Sequence, residues 1–439
     1  MSQNNHYVAA IDIGTTKIVA IIGKKHVDGK IEIIGMGNSP SYGVKRGVVL
    51  NIEETVNAIK QSVAQAQDQC GILFKDVYVG IAGQHIKSLR NRGYINRDSF
   101  DDEIKKEDVQ ALIDDMYKIP IDAGEEIIHV LPQSFTVDNE VGVKSPVGMS
   151  GKRLEANFHI VIGQIAAANN LKKCVNRCGL NVNKLILEPL ASSDAVLTDD
   201  EKEVGVALID IGGGTTDVAV FYDSMIRHTA VIPFGGNIVT NDIKKGCSIL
   251  ERQAEQLKVK FGSALADSSM RNKVVTISGI SGRPPKEISF ENLAHIIQAR
   301  MEEIIAEIYF EIEASGVGDK LGAGIVITGG GALLKNLAQL ISFKTGHEVR
   351  LGLPNQHLIS DIIEEINAPQ FSTSVGLLLK GYEYEETENI RKKIKTAQKP
   401  IEEEVVEQEL DEKPVKKKKI INGFLDKFSE LFEVDDSKM

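Results

Sequence analysis

The sequence predicts an α/β protein built from two similar halves, followed by a polar linker and a terminal amphipathic helix. Three observations lead to this fold class. A glycine-rich hairpin pattern near residue 210 occurs again near residue 12, and a third glycine-rich turn follows a later apolar strand. The 439 residues are enough for two domains or more, with 42% hydrophobic residues to form their cores.

The stretch Val206–Phe221 has the pattern of strand, tight turn and strand. Its apolar run ends at Asp210, and the turn contains Gly212, Gly213, Gly214, Thr215 and Thr216. One or two glycines suffice for the positive φ angles of a hairpin, so three leave backbone N–H groups open to close approach. Phosphate oxygens fit that description, with a Mg²⁺ ion near the acid. Taken alone, an ordinary glycine-rich hairpin explains the stretch equally well.

The first strands of the chain carry the same signal. Residues Val8–Gly23 contain an acid, a glycine and two threonines in the same order, which are Asp12, Gly14, Thr15 and Thr16. Within Gly322–Asn336 a strand is followed by Gly329, Gly330 and Gly331 and then by a predicted helix, and a glycine-rich helix N-terminus suits a phosphate or the face of a base. Together these motifs resemble the nucleotide site of the superfamily that contains actin, heat-shock chaperones and sugar kinases.

Composition narrows the class of protein. The net charge of −11 is opposite to the basic charge that general nucleic-acid binding needs, so we expect no nucleic-acid partner. The four cysteines complete no zinc pattern, and we expect reduced thiols in a cytosolic protein. The N-terminal residues lack the basic and apolar regions of a signal peptide, and no apolar run is long enough to span a bilayer.

Residues from Gly83 to about Gln164 interrupt the first half. A charged, helical stretch at Asp101–Asp115 is followed by predicted strands at His129–Asp138 and Ala156–Gly163, on either side of a loop. The pattern indicates a small inserted α/β unit.

Three further places carry candidate functional residues, each with a plainer alternative. Glu188 precedes Pro189 at the start of a helix, where it is either a buried acid that orients water or an exposed acid that caps the helix. Proline in the first helical turn favours the exposed capping acid. Glu255 and Lys258 are three residues apart on one helix face, where they form either a solvated ion pair or contacts to a ligand. Arg300 lies beside the apolar stripe of the helix predicted at Ser289–Ala314, where it could be merely solvated.

The C-terminal region changes character at Tyr384, beyond which charged residues dominate through Pro414 and predict a flexible linker. Lys416–Lys419 then precede Ile420–Phe432, where a helix would place apolar side chains within an arc of roughly 140°. That face consists of Ile420, Ile421, Phe424, Leu425, Phe428, Leu431 and Phe432. Such a helix docks on a protein groove or lies in a membrane interface, and the lysines favour an anionic membrane.

These features resemble one family, the bacterial cell-division protein FtsA, from Tyr7 to about Tyr382 and in the terminal helix. The resemblance rests on the nucleotide motifs, on GVKRGVVL at 43–50, on HVLPQSFTVD and SPVGMSGKRLE in the inserted unit, and on LILEPLASSDAVL at 185–197. It implies an actin-like, ribonuclease H-like fold of two domains in which an inserted subdomain IC replaces the IB subdomain of actin. One departure is that the terminal helix carries several acids and only Lys427, so membrane affinity leans on the upstream lysines.

The resemblance also implies a subdomain plan, with these boundaries: subdomain IA at 1–83, 165–198 and 361–384; inserted subdomain IC at 84–164; subdomain IIA at 199–236 and 304–360; subdomain IIB at 237–303; linker at 385–415; and membrane-targeting helix at 416–439.

Residue roles follow by motif from the same resemblance, for the cofactors ATP and Mg²⁺. Asp12, Gly14, Thr15, Thr16 and Lys17 look like the first phosphate loop, and Asp210, Gly212, Gly213, Gly214, Thr215 and Thr216 like the second, with Asp12 and Asp210 near the metal. Gly329, Gly330 and Gly331 resemble the adenosine loop, Glu255 and Lys258 the ribose and adenine contacts, and Glu188 a catalytic, water-orienting residue.

The partners that the resemblance implies are the C-terminal peptide of FtsZ at Arg300, other copies of the chain in filaments, later division proteins through subdomain IC, and an anionic membrane. The implied function is an ATP-binding protein, with hydrolysis weak or absent, that ties FtsZ to the cytoplasmic face of the cell membrane at the division site. A pilus-assembly actin homologue is the nearest alternative. A small-molecule kinase would need a substrate pocket, and a chaperone would need a substrate-binding domain that does not follow here.

Overall fold

The computed structural model describes residues 6–97, 102–267, 270–279, 282–359 and 364–397. The terminal amphipathic helix predicted at 416–439, and the part of the predicted linker from 398 to 415, therefore lie outside the described residues.

The first sheet forms the centre of domain I and has the strand order β11-β6-β1-β2-β3. Strands β1, β2 and β3 form an antiparallel meander, and β6 and β11 run parallel to β1. Helices α1 and α3 pack beside each other next to this sheet. The elements of domain I are β1 (Tyr7–Ile13), β2 (Lys17–Lys25), β3 (Ile31–Pro40), the hairpin strands β4 (Val44–Lys45) and β5 (Val48–Val49), α1 (Ile52–Cys70), β6 (Asp76–Ile81), α3 (Ile165–Asn176) and β11 (Asn181–Leu187).

The second sheet, in domain II, has the same plan in the order β14-β13-β12-β17-β18. Again a three-strand antiparallel meander is extended by two parallel strands. The elements of domain II are α5 (Asp199–Val204), β12 (Val206–Ile211), β13 (Thr216–Tyr222), β14 (Met225–Ile232), α6 (Gly236–Cys247), α7 (Glu251–Phe261), β15 (Val274–Ile277), β16 (Lys286–Ser289), α8 (Phe290–Ala314), β17 (Ile325–Thr328), α9 (Leu337–Thr345) and β18 (Val349–Leu351).

The inserted unit follows β6 and forms a four-stranded antiparallel sheet in the order β7-β10-β8-β9 with one helix. Its core is separate and contains Phe158, Leu154 and Leu112. The elements are β7 (Lys87–Asn96), α2 (Lys106–Met116), β8 (Glu125–Val137), β9 (Glu140–Val143) and β10 (Arg153–Gln164). The insertion is therefore confirmed, whereas β7 is absent from the sequence prediction because most of its side chains are polar and incompletely buried.

The insert contacts both domains through buried polar groups. On domain I, the backbone N–H of Leu187 donates to Nε2 of His129 over 3.0 Å. On domain II, Nε2 of His159 lies 2.7 Å from Oγ1 of Thr229, and Nε2 of Gln133 donates to the carbonyl of Ile226 over 2.9 Å. The insert is thus fixed to both domains.

Two helices, α4 (Glu188–Val196) and α10 (Ser372–Ala397), pack against each other where the domains meet. A Cβ on Gly376 would collide with the backbone of Ala191, so only glycine permits this close approach. The helix α10 continues through Ala397, which makes residues 385–397 of the predicted linker helical. Charged side chains such as Glu, Lys and Arg are good helix formers, so polarity alone did not mark the end of this helix.

No helix in the described part of the chain has the length and apolar character needed to span a membrane.

Candidate functional site

The strand register aligns the two glycine hairpins differently from their sequences. Ile13 pairs with Ile18 and Ile211 with Thr216, so the loops are residues 14–17 and 212–215. Thr15 and Thr16 therefore correspond in position to Gly213 and Gly214, and not to the two threonines of the second hairpin. In the second hairpin, Thr215 is the last residue of the loop and Thr216 is the first residue of β13.

The threonines of the first hairpin occupy the space that the glycines of the second leave open. A Cβ on Gly213 would collide with the side chain of Thr16, and one on Gly214 with that of Thr15. Close approach between the two hairpins thus explains two of the three glycines. The backbone of the second hairpin is further tied to α6, since Gly236 and Asn237 donate their N–H groups to the carbonyls of Gly212 and Gly213 over 2.9 and 2.8 Å.

A cavity of about 660 Å³ lies between the two domains at these hairpins. It is lined by nearly all of the residues that the sequence singles out for nucleotide: Asp12, Gly14, Thr15, Thr16, Lys17, Glu188, Asp210, Gly212, Gly213, Gly214, Thr215, Glu255, Lys258, Gly329, Gly330 and Gly331. Thr216 does not line it, because its side chain is fully buried and Oγ1 donates to the carbonyl of Phe234 over 2.8 Å.

Four carboxyl groups meet on one side of the cavity, those of Asp12, Asp210, Asp217 and Glu188. Burial raises the pKa of Asp12 to about 6 and also raises the pKa of Asp210. Burial, together with the charges of the neighbouring acids, places the pKa of Asp217 and of Glu188 well above the usual range. The cavity therefore favours protons or cations on these groups.

Hydroxyl groups from the two central helices hold the two hairpin acids. Ser192 Oγ donates to Oδ2 of Asp210 over 2.6 Å, and Thr373 Oγ1 donates to the same oxygen over 3.1 Å. Ser374 Oγ donates to Oδ2 of Asp12 over 3.1 Å. These hydroxyls were missed by sequence analysis, because they come from helices that lie outside both hairpin motifs.

Lys17 brings a positive charge to the acids. Burial lowers the pKa of Lys17 to about 8, against the opposing charges of Asp12 and Asp210. Its Nζ donates to the carbonyl of Gln370 over 2.6 Å and lies 3.7 Å from the ring centre of Phe371. The ammonium is thus held at the cavity wall by groups outside the hairpin.

The donor set fits a hard cation. Asp217 has a buried Oδ1 without a hydrogen-bond partner in the described structure, and its position in the sequence motif gave no reason to single it out. No group of three or more His, Cys, Asp or Glu side chains among the described residues is placed to hold a metal by itself. Mg²⁺ commonly takes one or two carboxylates and completes its shell with water and phosphate, as Asp12 and Asp210 would allow.

Glu188 is the first residue of α4, but its carboxyl group faces the cavity. The preferred interpretation as an exposed capping acid is therefore wrong. A Cβ on Gly80 of β6 would lie only 3.0 Å from Oε1 of Glu188, so glycine at this position leaves room for the carboxyl group.

Glu255 and Lys258 form the expected ion pair on α7, with 2.8 Å between Oε2 and Nζ, and both line the cavity. Lys258 also donates to the carbonyl of Gly236 over 3.0 Å and to Oγ1 of Thr240 over 2.9 Å. The Lys258 side chain is only 15% exposed, whereas that of Glu255 is 45% exposed, so the lysine is held in the cavity wall and the carboxylate still faces solvent.

The third glycine turn differs from the expected helix N-terminus. Gly330–Leu333 form a 3₁₀ turn, and α9 begins only at Leu337. Gly329 has a φ of 83°, and a Cβ there would collide with the Asp210 carboxylate, which brings this turn against the second hairpin.

Arg300 lies on α8, away from the cavity lining. Its Nε donates to Oδ2 of Asp242 on α6 over 2.5 Å, and its guanidinium also pairs with Glu303. The side chain is therefore engaged with two acids and is not merely solvated.

Comparisons with known proteins place these features in context. A family model described as "Cell division protein FtsA" matches residues 207–376, and one described as "SHS2 domain inserted in FTSA" matches residues 83–162. The chain is 41% identical to the cell division protein FtsA of Pseudomonas aeruginosa, over 86% of this chain and 90% of the relative. It is 36% identical to that of Escherichia coli K12, with 86% and 90% covered, and 37% identical to that of Borreliella burgdorferi, with 89% and 94% covered.

Among solved structures, the PilM–PilN type IV pilus biogenesis complex contains a chain similar in fold, with a TM-score of 0.61 and 15% identity over 85% of this chain and 98% of that one. MreB5 of Spiroplasma citri bound to ADP gives a TM-score of 0.52 and 16% identity over 88% and 98%. At these identities the likeness extends to the fold alone, and it confirms the predicted actin-like architecture.

Proposed function

Because this chain belongs to the FtsA family of bacterial cell-division proteins, we propose that it is an ATP-binding division protein that links FtsZ filaments to the cell membrane. The observation that carries the nucleotide part of the proposal is the convergence of both glycine hairpins and Lys17 on one cavity of about 660 Å³. A pocket of this size suits a nucleotide. The subdomain boundaries set out from the sequence belong to the same proposal.

In this proposal different residues of the chain bind different parts of the nucleotide. Backbone N–H groups of the two loops and the ammonium of Lys17 bind phosphate oxygens. The carboxylates of Asp12 and Asp210 hold Mg²⁺, which would neutralise charge on the phosphates. Glu255 and Lys258 contact the ribose and base from α7, while Gly329, Gly330 and Gly331 offer bare backbone to the adenosine.

Hydrolysis of ATP in this proposal depends on Glu188. Glu188 is the residue that would orient a water molecule, but burial and the neighbouring acids raise its pKa and favour the protonated carboxylic acid. A cation bound near Asp12 and Asp210 favours the ionised form, in which the carboxylate accepts a hydrogen bond from water. Slow hydrolysis that depends on Glu188 and on Mg²⁺ is the expected behaviour.

The FtsZ peptide is proposed to bind at Arg300. The ion pairs with Asp242 and Glu303 mean that an acidic peptide must compete for the guanidinium. Removal of Arg300 should weaken peptide binding by about 1–3 kcal/mol, the usual range for a charge-assisted hydrogen bond. Arg300→Glu with unchanged peptide affinity, measured by calorimetry with ATP binding intact, would contradict this site.

The membrane anchor is proposed to be the helix at 420–432, with Lys416–Lys419 attracted to anionic headgroups. Filament formation and the recruitment of later division proteins through subdomain IC complete the proposed role. The pilus-assembly alternative has less support, since the pilus protein shares only the fold at 15% identity, whereas division proteins reach 41%.

Co-sedimentation with liposomes, with and without FtsZ, tests the whole proposal. The full chain should bring FtsZ down with anionic vesicles. Phe424→Glu with Phe428→Glu should release the protein from vesicles, while Asn422→Glu with Ser429→Glu adds the same charge to the polar face and should leave most binding in place. If both double variants sediment equally with vesicles at moderate salt, the terminal helix is not the anchor.

A further inference from the structure

A second, smaller pocket lies beside the phosphate hairpins, and we propose that it binds a phosphate anion. It has a volume of about 330 Å³ and takes its walls from both domains. Domain I contributes Thr15, Lys45 and Arg46, and domain II contributes Phe234, Asn237 and Asn241 among others. The pocket is distinct from the nucleotide cavity but adjoins it.

The charge of this pocket is opposite to that of the chain. The protein as a whole carries −11, but Lys45 and Arg46 stand here without an ion pair to any described residue. One carboxylate, that of Glu251, also lines the pocket, and it is paired with Lys244 over 2.9 Å. Two uncompensated cations and two amide side chains form a set of donors suited to an anion with several oxygens.

The backbone at Arg46 is held in a costly conformation. Arg46 and Gly47 form the two-residue turn between β4 and β5, with φ angles of 51° and 73°. A turn with both φ angles positive favours asparagine followed by glycine, and arginine at its first position is an uncommon choice. A strained residue that persists points to a role for its side chain.

Contacts with both domains hold the turn at Arg46 and Gly47 in place. The N–H of Gly47 donates to Oγ1 of Thr15 over 3.3 Å, which ties the turn to the first phosphate hairpin. A Cβ on Gly47 would collide with the backbone of Ala82. The guanidinium carbon of Arg46 lies 5.9 Å from the ring centre of Phe234, so the side chain reaches across the cleft to domain II.

Thr15, Gly213, Gly214 and Asn237 line both pockets, so the two pockets adjoin at the hairpins. A phosphate in the second pocket would therefore lie near the phosphate end of the first. Two sources share this chemistry: free orthophosphate, and the terminal phosphate of a nucleotide whose remainder occupies the larger cavity. Arg46 can bind either one in a bidentate manner, with Lys45 as a compact second charge.

Calorimetric titration of the full-length protein with orthophosphate, in the presence of ADP and Mg²⁺, tests the free anion. Arg46→Asn removes the cation and supplies the residue that the turn prefers, so the variant should fold at least as well as the parent, which a melting curve checks. Its affinity for orthophosphate should fall by about tenfold or more, as loss of a charge-assisted hydrogen bond predicts. Lys45→Gln should give a smaller loss, and Lys60→Gln, the same charge change on the exposed side of α1, should give none.

A second titration, with the non-hydrolysable analogue AMPPNP and with ADP, distinguishes the two sources. If the pocket takes the terminal phosphate, Arg46→Asn weakens AMPPNP relative to ADP, and orthophosphate does not bind to the AMPPNP complex. If it takes free orthophosphate, the ratio of AMPPNP to ADP affinity is unchanged and the first titration shows the loss. Equal orthophosphate affinity in the parent, Arg46→Asn and Lys45→Gln, together with an unchanged nucleotide ratio, would overturn the proposal.

Discussion

The hairpin β1–β2 and the hairpin β12–β13 have equal loop lengths and the same strand register, but they contribute opposite things to the cavity. The first presents two threonines and the cation Lys17. The second presents bare glycine backbone at the matching positions, and it adds a second acid, Asp217, on its returning strand. The two hairpins therefore share loop length and strand register, whereas their side chains at matching positions are complementary.

The difference has a physical reason. Two identical threonine loops could not approach each other closely, because the side chains of Thr15 and Thr16 already fill the space in front of Gly214 and Gly213. One hairpin must be bare where the other is not. The shared cleft therefore requires this asymmetry. A substitution in either hairpin should disturb the contact between them.

Gly213→Val should have the largest effect, because it forces a side chain into the position of Thr16. Overpacking of this kind costs about 1–3 kcal/mol, so ATP affinity should fall by up to about a hundredfold. Calorimetry with the full chain measures it. Adding Thr16→Gly should restore part of the affinity, since it reopens the space. If the single variant binds ATP normally, the two hairpins do not meet in the way described.

Lys17→Met should have the next largest effect. The variant keeps the length of the side chain but removes the charge that faces Asp12 and Asp210. ATP affinity should fall by about thirtyfold, in the middle of the range for a charge-assisted contact. Lys30→Met, at an exposed turn in the same domain, is the matched control and should bind as the parent does.

Acid should destabilise the attachments of the insert to the two domains. Burial lowers the pKa of His129 to about 3 and of His159 to about 4, so between pH 6.5 and those values the unfolded chain binds protons that the folded chain does not. Stability therefore falls as pH falls, by about 2 kcal/mol per histidine at pH 5. His129→Gln, which can still accept from Leu187, should lose less stability between pH 7 and pH 5 in denaturant titrations. An equal loss in parent and variant would exclude His129 as a cause.

The smallest effect is expected at the exposed link between the insert and domain II. Lys144 Nζ lies 2.6 Å from Oδ1 of Asp223, with both side chains substantially exposed. Such pairs add little to stability, so Lys144→Ala should leave the melting temperature unchanged. A clear drop would mean that surface charge, and not the buried bonds of Gln133 and His159, attaches the insert to domain II.

The sequence repeat was sufficient to predict the two sheets and the place of the cavity, because strand, acid and glycine occur in a fixed local order. It was insufficient for the detail of that cavity. The two pairs of threonines look equivalent in sequence, and only strand pairing shows that Thr15 and Thr16 oppose glycines. Asp217 is visible in the sequence beside the second pair of threonines, but it has no acidic counterpart in the first hairpin, where strand pairing places the apolar Val19.

Contacts between separate segments of the chain account for most of the remaining differences between the sequence-based prediction and the structure. Ser192, Thr373 and Ser374 are ordinary helix residues by sequence, and their hydrogen bonds to the acids exist only once α4 and α10 pack against the hairpin strands. Glu188 likewise has the local pattern of a helix cap, and its position on the cavity wall depends on Gly80 in a neighbouring strand. Strand β7 is a partly polar strand of the insert, where alternation gives little signal.

The late position of α10 in the chain has a consequence for how the protein is made. Tyr382 Oη donates to the carbonyl of Gly23 over 2.6 Å across 359 residues, and Ser374 reaches Asp12 across 362. Strands β1 and β2 leave the ribosome first, but they acquire these contacts only after nearly the whole chain has been synthesised. Contacts of such long sequence separation slow folding and leave apolar strands unprotected in the meantime. A nascent chain that ends before α10 would therefore hold both hairpins but lack the hydroxyls of Thr373 and Ser374 that hold their acids.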